Sequence, residues 1–498
     1  MGKVSQLVAL CAYFCASVAA SGLQSDARGT SPVKVPNAAG SQHIERITSC
    51  IRQPVAVKDD PHPCTPLSEV MARFHIPGAS IAVIHNGSIE WARGFGMREV
   101  DGKKAVDAET LFQAGSISKP VAALAALHLV QMGKLSLDAD VNTELTTWKL
   151  PSNPAANGKQ VTLRELLTHT GGTTVHGFPG YAAKAPVPTL VQVLNGEPPA
   201  NTPAIRIESE PGNKWNYSGG GYTIMQQMLL DASHEPFPQL LHDMVLAPIG
   251  MTHSTYQQPL PDVQRSDAAA PYDGNGAAIP GGAHTYPEMA AAGLWTTPSD
   301  LAKYAIEIER SLEGNANHVL SKDMTQQMLT PGKGSFGLGV QIGGSPPDPY
   351  FSHGGVNEGF ESLFVAYRNH GDGAVVMTNA QGGSLLADYV MRSIAMEYGW
   401  PDYRQVVRTQ VKVDRATLAR YVGTYQLAPD FSMAVTLEGD QLITQLTDQD
   451  KVPIFPESPT EFFTKVVAAD IEFLSNGKGE VTAMVLHQNG RDIKGVKQ

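Results

Sequence analysis

Ser116 and Lys119 stand three positions apart in the stretch Ala114-Gly115-Ser116-Ile117-Ser118-Lys119-Pro120. On a helix beginning there, both side chains project from one face a turn apart, which places an amine beside a hydroxyl. A serine hydroxyl is a poor nucleophile until a neighbour takes its proton, and a lysine desolvated under a helix loses enough basicity to take it. The chemistry such a pair can do is acyl transfer through a serine ester. Spacing alone does not establish it, because Ser31 with Lys34 and Ser475 with Lys478 repeat the pattern, the first in a Pro/Gly/Ser-rich stretch and the second across an Asn-Gly turn. Neither of those opens a helix.

The Ser116 stretch does. Val121, Leu124, Leu127 and Leu129 recur at helical spacing among alanines, and Gly133 is a natural stop. Ser116 then sits at the helix start, where unpaired N–H groups favour developing negative charge, and Pro120 falls in the first turn, where a missing donor matters little. Further on, Tyr217-Ser218-Gly219 lies in a glycine-rich stretch that leads into a helical Thr223–Leu230. Ser352-His353-Gly354-Gly355 precedes two strand-like runs, Leu363–Tyr367 and Ala374–Thr378; its glycines let a backbone approach a ligand, as an edge strand lining a site requires. Upstream, Leu67–Phe74 and Thr162–Thr170 read as helical, and Ala79–Ala92 reads as a hairpin turning at Asn86-Gly87. The Pro- and Gly-rich residues 176–214 make a long loop of the kind that walls a functional site.

The 498 residues leave room for a large catalytic domain and a smaller one, with 42% hydrophobic and 17% charged residues as in ordinary globular chains. A net charge of −11 without a basic cluster excludes a nucleic-acid or anionic-membrane surface and favours small or neutral substrates. Residues 1–20 read as a secretory signal: Lys3, the apolar Leu7–Phe14 and the small Val18-Ala19-Ala20 follow in order, with a short membrane anchor as the alternative. Leu10 and Phe14 precede Cys11 and Cys15, where a lipoprotein signal would carry a small residue, and no later run is long enough to be a transmembrane anchor. Cleavage leaves Cys50 and Cys64, which form a local disulfide in an oxidising compartment; two buried thiols or half a metal site are the alternatives, and no His cluster supports the metal. Residues 21–66 read as a mostly irregular extension tied down by that bridge. After residue 400, alternating runs such as Met433–Leu437 and Val481–Leu486, separated by turns, describe a small all-β unit, sandwich or barrel.

Taken in order, Ser116-x-x-Lys119, Tyr217-Ser218-Gly219 and His353-Gly354-Gly355 resemble the three motifs of the serine β-lactamase and D,D-peptidase superfamily, in its class C-like branch. That branch also holds D-aminopeptidases and β-lactamase-fold carboxylesterases. Leu166–Gly172, Pro248-Ile249-Gly250-Met251 and Ala292–Leu301 agree, so the likeness covers residues 67–400. It implies an α/β (α+β) β-lactamase/transpeptidase-like fold: an antiparallel sheet flanked by helices, with a helical insert and the site between them, followed by a lipocalin-like β domain over residues 401–498. It also implies Ser116 as the acylated nucleophile, and a base network of Lys119 and Tyr217 in which either takes the proton. The backbone N–H groups of Ser116 and Val356 would form the oxyanion hole. His353 would stand as a cation for a substrate carboxylate, with Gly354, Gly355 and Gly219 lining the substrate site. No metal or cofactor is implied.

Two departures shape the substrate expectation. Gly219 stands where the family has Asn, which removes an amide that would orient a β-lactam or bind the Lys119 amine; Asn216 or Ser218 are the possible stand-ins. His353 replaces a lysine and exchanges a permanent charge for one that titrates near neutrality. The chain is therefore expected to be a periplasmic or secreted serine hydrolase of small esters or D-configured peptide amides. The alternatives are a class C-like β-lactamase or penicillin-binding D,D-peptidase, and a non-hydrolytic receptor for peptidoglycan peptides or antibiotics. No Gly-x-Ser-x-Gly elbow, zinc helix motif or phosphate loop occurs. The role of the C-terminal domain stays open between a wall over the site, an oligomer contact and a cap.

Overall fold

The structure is a computed structural model that describes residues 38–498 apart from 101, 103 and 489, so the signal-like segment 1–20 lies outside the described residues. The first element is a helix, α1 (Ala38–Ser49), inside the stretch expected to be irregular. Ile44, Ile47 and Ile51 recur at three- and four-residue steps and are all buried, a helical period that the surrounding Ser, Gly and Pro residues obscure. Cys50 and Cys64 are joined by a disulfide. The short strand β1 (Val55–Val57) follows, then α2 (Leu67–Arg73), β2 (Gly78–His85) and β3 (Ser88–Gly96). Asn86 and Gly87 both take positive φ, 52° and 68°, the geometry that an Asn-Gly hairpin turn needs.

After β4 (Phe112–Gln113), a 3₁₀ turn at Gly115–Ile117 runs into α3 (Ser118–Gln131), which is buried on every side over most of its length. A helix that is apolar all round belongs in a core, and α3 packs against α4 (Gly219–Ser233) and α5 (Met289–Ala292). The expected helical insert is made of short helices and loops around α4. Then come β5 (Trp295–Thr296), which pairs with β4, and the long helix α6 (Pro298–Glu313). The strands β6 (Gln341–Gly343), β7 (Tyr350–Asn357), β8 (Phe360–Tyr367) and β9 (Gly373–Thr378) complete a six-stranded antiparallel sheet in the order β3-β2-β9-β8-β7-β6. Central β9 is buried throughout and α6 covers one face, with Tyr304 edge-on to Phe364 at 5.7 Å. Because β6 reaches only Tyr350–Ser352, the second half of β7 is an open edge.

Residues 68–387 pack as one compact unit, and residues 45–67 with 388–498 pack as another. The second unit takes in most of α7 (Gly383–Tyr398) and the strand β10 (Val406–Arg408), which pairs in parallel with β1. The Arg52 N–H donates to Ser393 Oγ at 2.9 Å, and Arg46 pairs with Glu397 at 2.7 Å. The segment before the first sheet thus packs with the C-terminal part of the chain, a long-range pairing that composition does not reveal. From β11 (Gly423–Ala428) to β18 (Arg491–Lys497) the chain forms an antiparallel barrel closed by the pairing of Tyr425 with Lys497. Its interior is filled by side chains: Tyr421 stacks on Phe473 at 4.3 Å, with Tyr425, Phe462 and Met484 around them. Among the described residues, no helix is long and apolar enough to cross a membrane, and no cluster of His, Cys, Asp and Glu could hold a metal ion.

Candidate active site

Gly115 has φ +53°, and a Cβ there would overlap the amide nitrogen of Val356. A Cβ on Gly355 would in turn overlap the carbonyl oxygen of Ala114. The turn that carries Ser116 therefore lies directly against the open edge of β7, an approach that only two glycines permit. The sequence's helix start is a 3₁₀ turn, and α3 itself begins at Ser118. Ser118 Oγ donates to Gly115 O at 2.6 Å and accepts from Leu294 N at 2.9 Å, while Tyr256 O–H donates to Ser118 O at 2.6 Å. The first bond closes the turn on itself, and the other two tie it to the segment that follows α5 and to Tyr256.

Lys119 is buried, 2% exposed, with Nζ 2.9 Å from Ser116 Oγ and 2.8 Å from Ala291 O. The Nζ also lies 5.0 Å from the ring centre of Tyr217 and 5.7 Å from that of Tyr222. Burial pushes the amine down to about 7, so near neutrality it carries a lone pair in a substantial fraction of molecules. Tyr217 hydrogen-bonds Ser116, and burial of its phenol raises its pKa well above the ordinary value despite that bond. Ser116 and Lys119 from one motif and Tyr217 from another are thus brought together.

A residue that the sequence left without a role supports Tyr217. His169 accepts from Ser218 N at 3.1 Å through Nδ1, so its proton is on Nε2, and its carbonyl accepts from Asn216 N at 2.8 Å. The ring lies 4.2 Å from Tyr217 and 4.7 Å from Phe336, centre to centre, and is fully enclosed. Both bonds hold the backbone on either side of Tyr217. The signal available in the sequence was a histidine followed by Thr-Gly-Gly at the end of a helix. Ala291, a backbone partner for Lys119, left no such signal.

On β7 the His353 ring is held by its own strand. Its Nδ1 faces Gly354 O at 2.6 Å, so Nδ1 carries the proton and Nε2 is a bare acceptor. The ring is 6% exposed between Tyr217 and Phe336. Burial first, then the nearby Lys119, push it down to about 3. In the free chain His353 is therefore a neutral imidazole near pH 7.

The neighbouring residues on β7 follow the strand alternation. Gly354 and Val356 are exposed, and Gly355 faces the Ser116 turn. The two-residue turn Glu358-Gly359 makes Asn357 and Phe360 the closing pair, so the Val356 N–H points away from β8 toward the open edge beside Ser116. Asn357 Nδ2 donates to Gln113 Oε1 at 2.9 Å and Ala292 O at 3.0 Å, which fixes this end of β7. Gly219 is the first residue of α4, where Ser218 Oγ caps Gly221 N at 3.0 Å. A Cβ on Gly219 would lie 2.8 Å from Phe178 Cε2. Asn216 turns outward to Glu208 at 2.8 Å, and the Ser218 hydroxyl is engaged by Thr173 at 2.8 Å, so neither replaces an amide at 219.

The Beta-lactamase family profile matches residues 67–395, and a domain of unknown function, DUF3471, matches residues 407–497. Penicillin-binding protein 4* of Bacillus subtilis (strain 168) is 22% identical over 86% of this chain and 97% of its own length. The putative penicillin-binding protein PbpX of the same strain is 28% identical over 61% of this chain and 71% of its own. Among solved structures, the octameric penicillin-binding protein homologue from Pyrococcus abyssi has a TM-score of 0.57 at 22% identity, covering 86% of this chain and 98% of that one. The D-alanine carboxypeptidase AmpC from Burkholderia cenocepacia has a TM-score of 0.54 at 19% identity over 71% of this chain and 99% of its own.

Proposed function

Because this chain belongs to the Beta-lactamase family, within the β-lactamase/transpeptidase-like serine hydrolases, we propose that it hydrolyses small neutral esters or D-configured amides through an acyl-enzyme at Ser116. The observation that carries this reading is the 2.9 Å contact between Ser116 Oγ and a lysine whose buried amine sits at about 7. A neutral Lys119 takes the Ser116 proton as the hydroxyl attacks the carbonyl carbon. Tyr217, held in its protonated form, relays that proton: it gives its own to the leaving group as the carbonyl–leaving-group bond breaks and takes the one held by Lys119, which leaves the lysine neutral again. Of the two candidate bases, Lys119 is the one whose proton affinity suits the task. The developing oxyanion sits between the N–H groups of Ser116 and Val356. Water then attacks the ester of Ser116 with the same neutral lysine as base, and the proton it takes passes to Ser116 Oγ as the acyl C–Oγ bond breaks, which restores both groups.

The neutral His353 argues for substrates without a carboxylate at that position, since a bare nitrogen acceptor there repels one. The amide arm draws on two solved structures of similar fold, one titled SurE with D-Leu and the other a D-alanine carboxypeptidase. A penicillin-binding role is the second reading, favoured by the names of the curated relatives. The signal-like residues 1–20 and the Cys50–Cys64 disulfide support a periplasmic or secreted site of action. Intact-mass spectrometry with a phosphonate or penicillin probe is expected to give one adduct, absent in Ser116→Ala. Labelling that persists in that variant defeats the nucleophile assignment. Nitrocefin, a p-nitrophenyl ester and a D-alanyl amide, compared on the purified protein, separate the two readings; nitrocefin turnover matching ester hydrolysis decides for a β-lactamase.

A further inference from the structure

The segment 174–181 is bonded at both ends to opposite sides of the Ser116 site. At its start, Gly220 N donates to Val175 O at 2.9 Å, Ser218 Oγ donates to Thr174 O at 3.1 Å, and His176 Nδ1 donates to Tyr217 O. At its end, Tyr181 and Thr285 exchange backbone bonds of 2.8 and 2.9 Å, and His284 Nδ1 donates to Pro179 O at 2.9 Å. The 284–286 stretch is itself tied to the other wall: Gln113 Nε2 donates to His284 O at 2.7 Å, and Tyr286 Oη accepts from Glu358 N at 3.0 Å. Gln113 lies three residues before Ser116 and holds Asn357, the neighbour of Val356. The segment therefore crosses from Tyr217 to the end of β7, and Phe178 stands in its middle.

The Phe178 ring fills the space a side chain at 219 would take, with Cε2 at 2.8 Å and Cδ2 at 3.3 Å from the position of that Cβ. Gly219 is two residues from Tyr217, the partner of Ser116, so the ring packs on the helix start that follows that tyrosine. An aromatic edge there offers no hydrogen-bond donor or acceptor, and its size limits what can lie against it.

We propose that Phe178 is the specificity-determining wall of the acyl pocket: seated over Gly219, it admits short apolar acyl groups and turns away long or amide-bearing ones. This rests on the serine-hydrolase reading above and goes beyond it in naming the acyl class and the residue that selects it. The test follows the rate of Ser116 phosphonylation by p-nitrophenyl methylphosphonate and hexylphosphonate, read by intact mass, so it needs no known substrate. In Phe178→Ala the ratio of hexyl to methyl rates is expected to rise about tenfold or more, the scale of at least one methylene's worth of contact. Phe178→Leu is expected to rise less, and it carries the test if the alanine variant does not fold. Gly219→Ala is expected to slow labelling by both probes in the wild-type background and to slow it less when Phe178→Ala is present. An unchanged chain-length ratio in the folded Phe178 variants overturns the proposal while leaving Ser116 as nucleophile. Failure of both probes to modify folded wild-type protein overturns the serine-hydrolase reading, and this proposal with it.

Discussion

Lys119 and Tyr217 are moved in opposite directions by the same burial: the amine falls toward neutrality because its charged form is protonated, and the phenol rises because its charged form is not. A base at about 7 predicts that kcat/KM for a neutral ester climbs with pH, about tenfold per unit below that value, and levels above it. His353, at about 3, adds no limb between pH 5 and 8, and an ester profile with a second ionisation that vanishes in His353→Lys contradicts the buried neutral imidazole. Lys119→Ala and Tyr217→Phe are each expected to lower kcat/KM by about 100- to 10,000-fold. The double variant should lose little more, because both groups work on the one proton of Ser116. Additive losses in that cycle mean that the two serve separate steps.

Among the elements, α5 has the sharpest consequence. Its Ala291 carbonyl holds Lys119, and Glu288 directly precedes it, fully buried with both carboxylate oxygens unpartnered among the described residues. Burial pushes Glu288 up to about 8. The folded chain then keeps a proton that the unfolded chain releases, so stability is greatest below the ordinary carboxylate range and falls as pH rises through about 8. Glu288→Gln removes that loss. Its melting temperature is expected to exceed the wild type's at pH 8 to 9 and to approach it at pH 5, with the slope difference limited to about 1.4 kcal/mol per pH unit. Parallel melting curves at all pH values refute the buried-acid assignment. Much of the element layer was legible: Asn86-Gly87 announced the β2–β3 turn and the Val121–Leu129 period announced α3. The helix α1 was missed because its buried isoleucines sit among residues typical of loops.

At the scale of the molecule, the C-terminal barrel is packed with its own side chains, which distinguishes it from a barrel that carries a ligand. Phe473 touches Tyr421, Tyr425 and Phe462, so Phe473→Ala is expected to lose about 3–5 kcal/mol in urea unfolding followed by circular dichroism. A loss below 1 kcal/mol would mean the ring is not part of a packed core. Pairing of β1 with β10 places residues 45–67 in the same compact unit as the barrel, although more than three hundred residues separate the two strands.

Sequence alone determined whatever depends on neighbours along the chain: the Ser116 and Lys119 pair on one helix start, the order of the three motifs, the turns and the strand alternation after residue 400. These follow from backbone geometry and local periodicity, which act over a few residues. The tertiary structure decided the rest. Lys119 reaches about 7 and His353 about 3 because side chains from distant segments exclude water from them, Tyr217 and Tyr222 beside the lysine, Tyr217 and Phe336 beside the histidine. Phe178 reaches Gly219, and His169 reaches Ser218, across loops whose composition carries no register. Desolvation and close packing are properties of what surrounds a group in space, and that is written only in the folded chain.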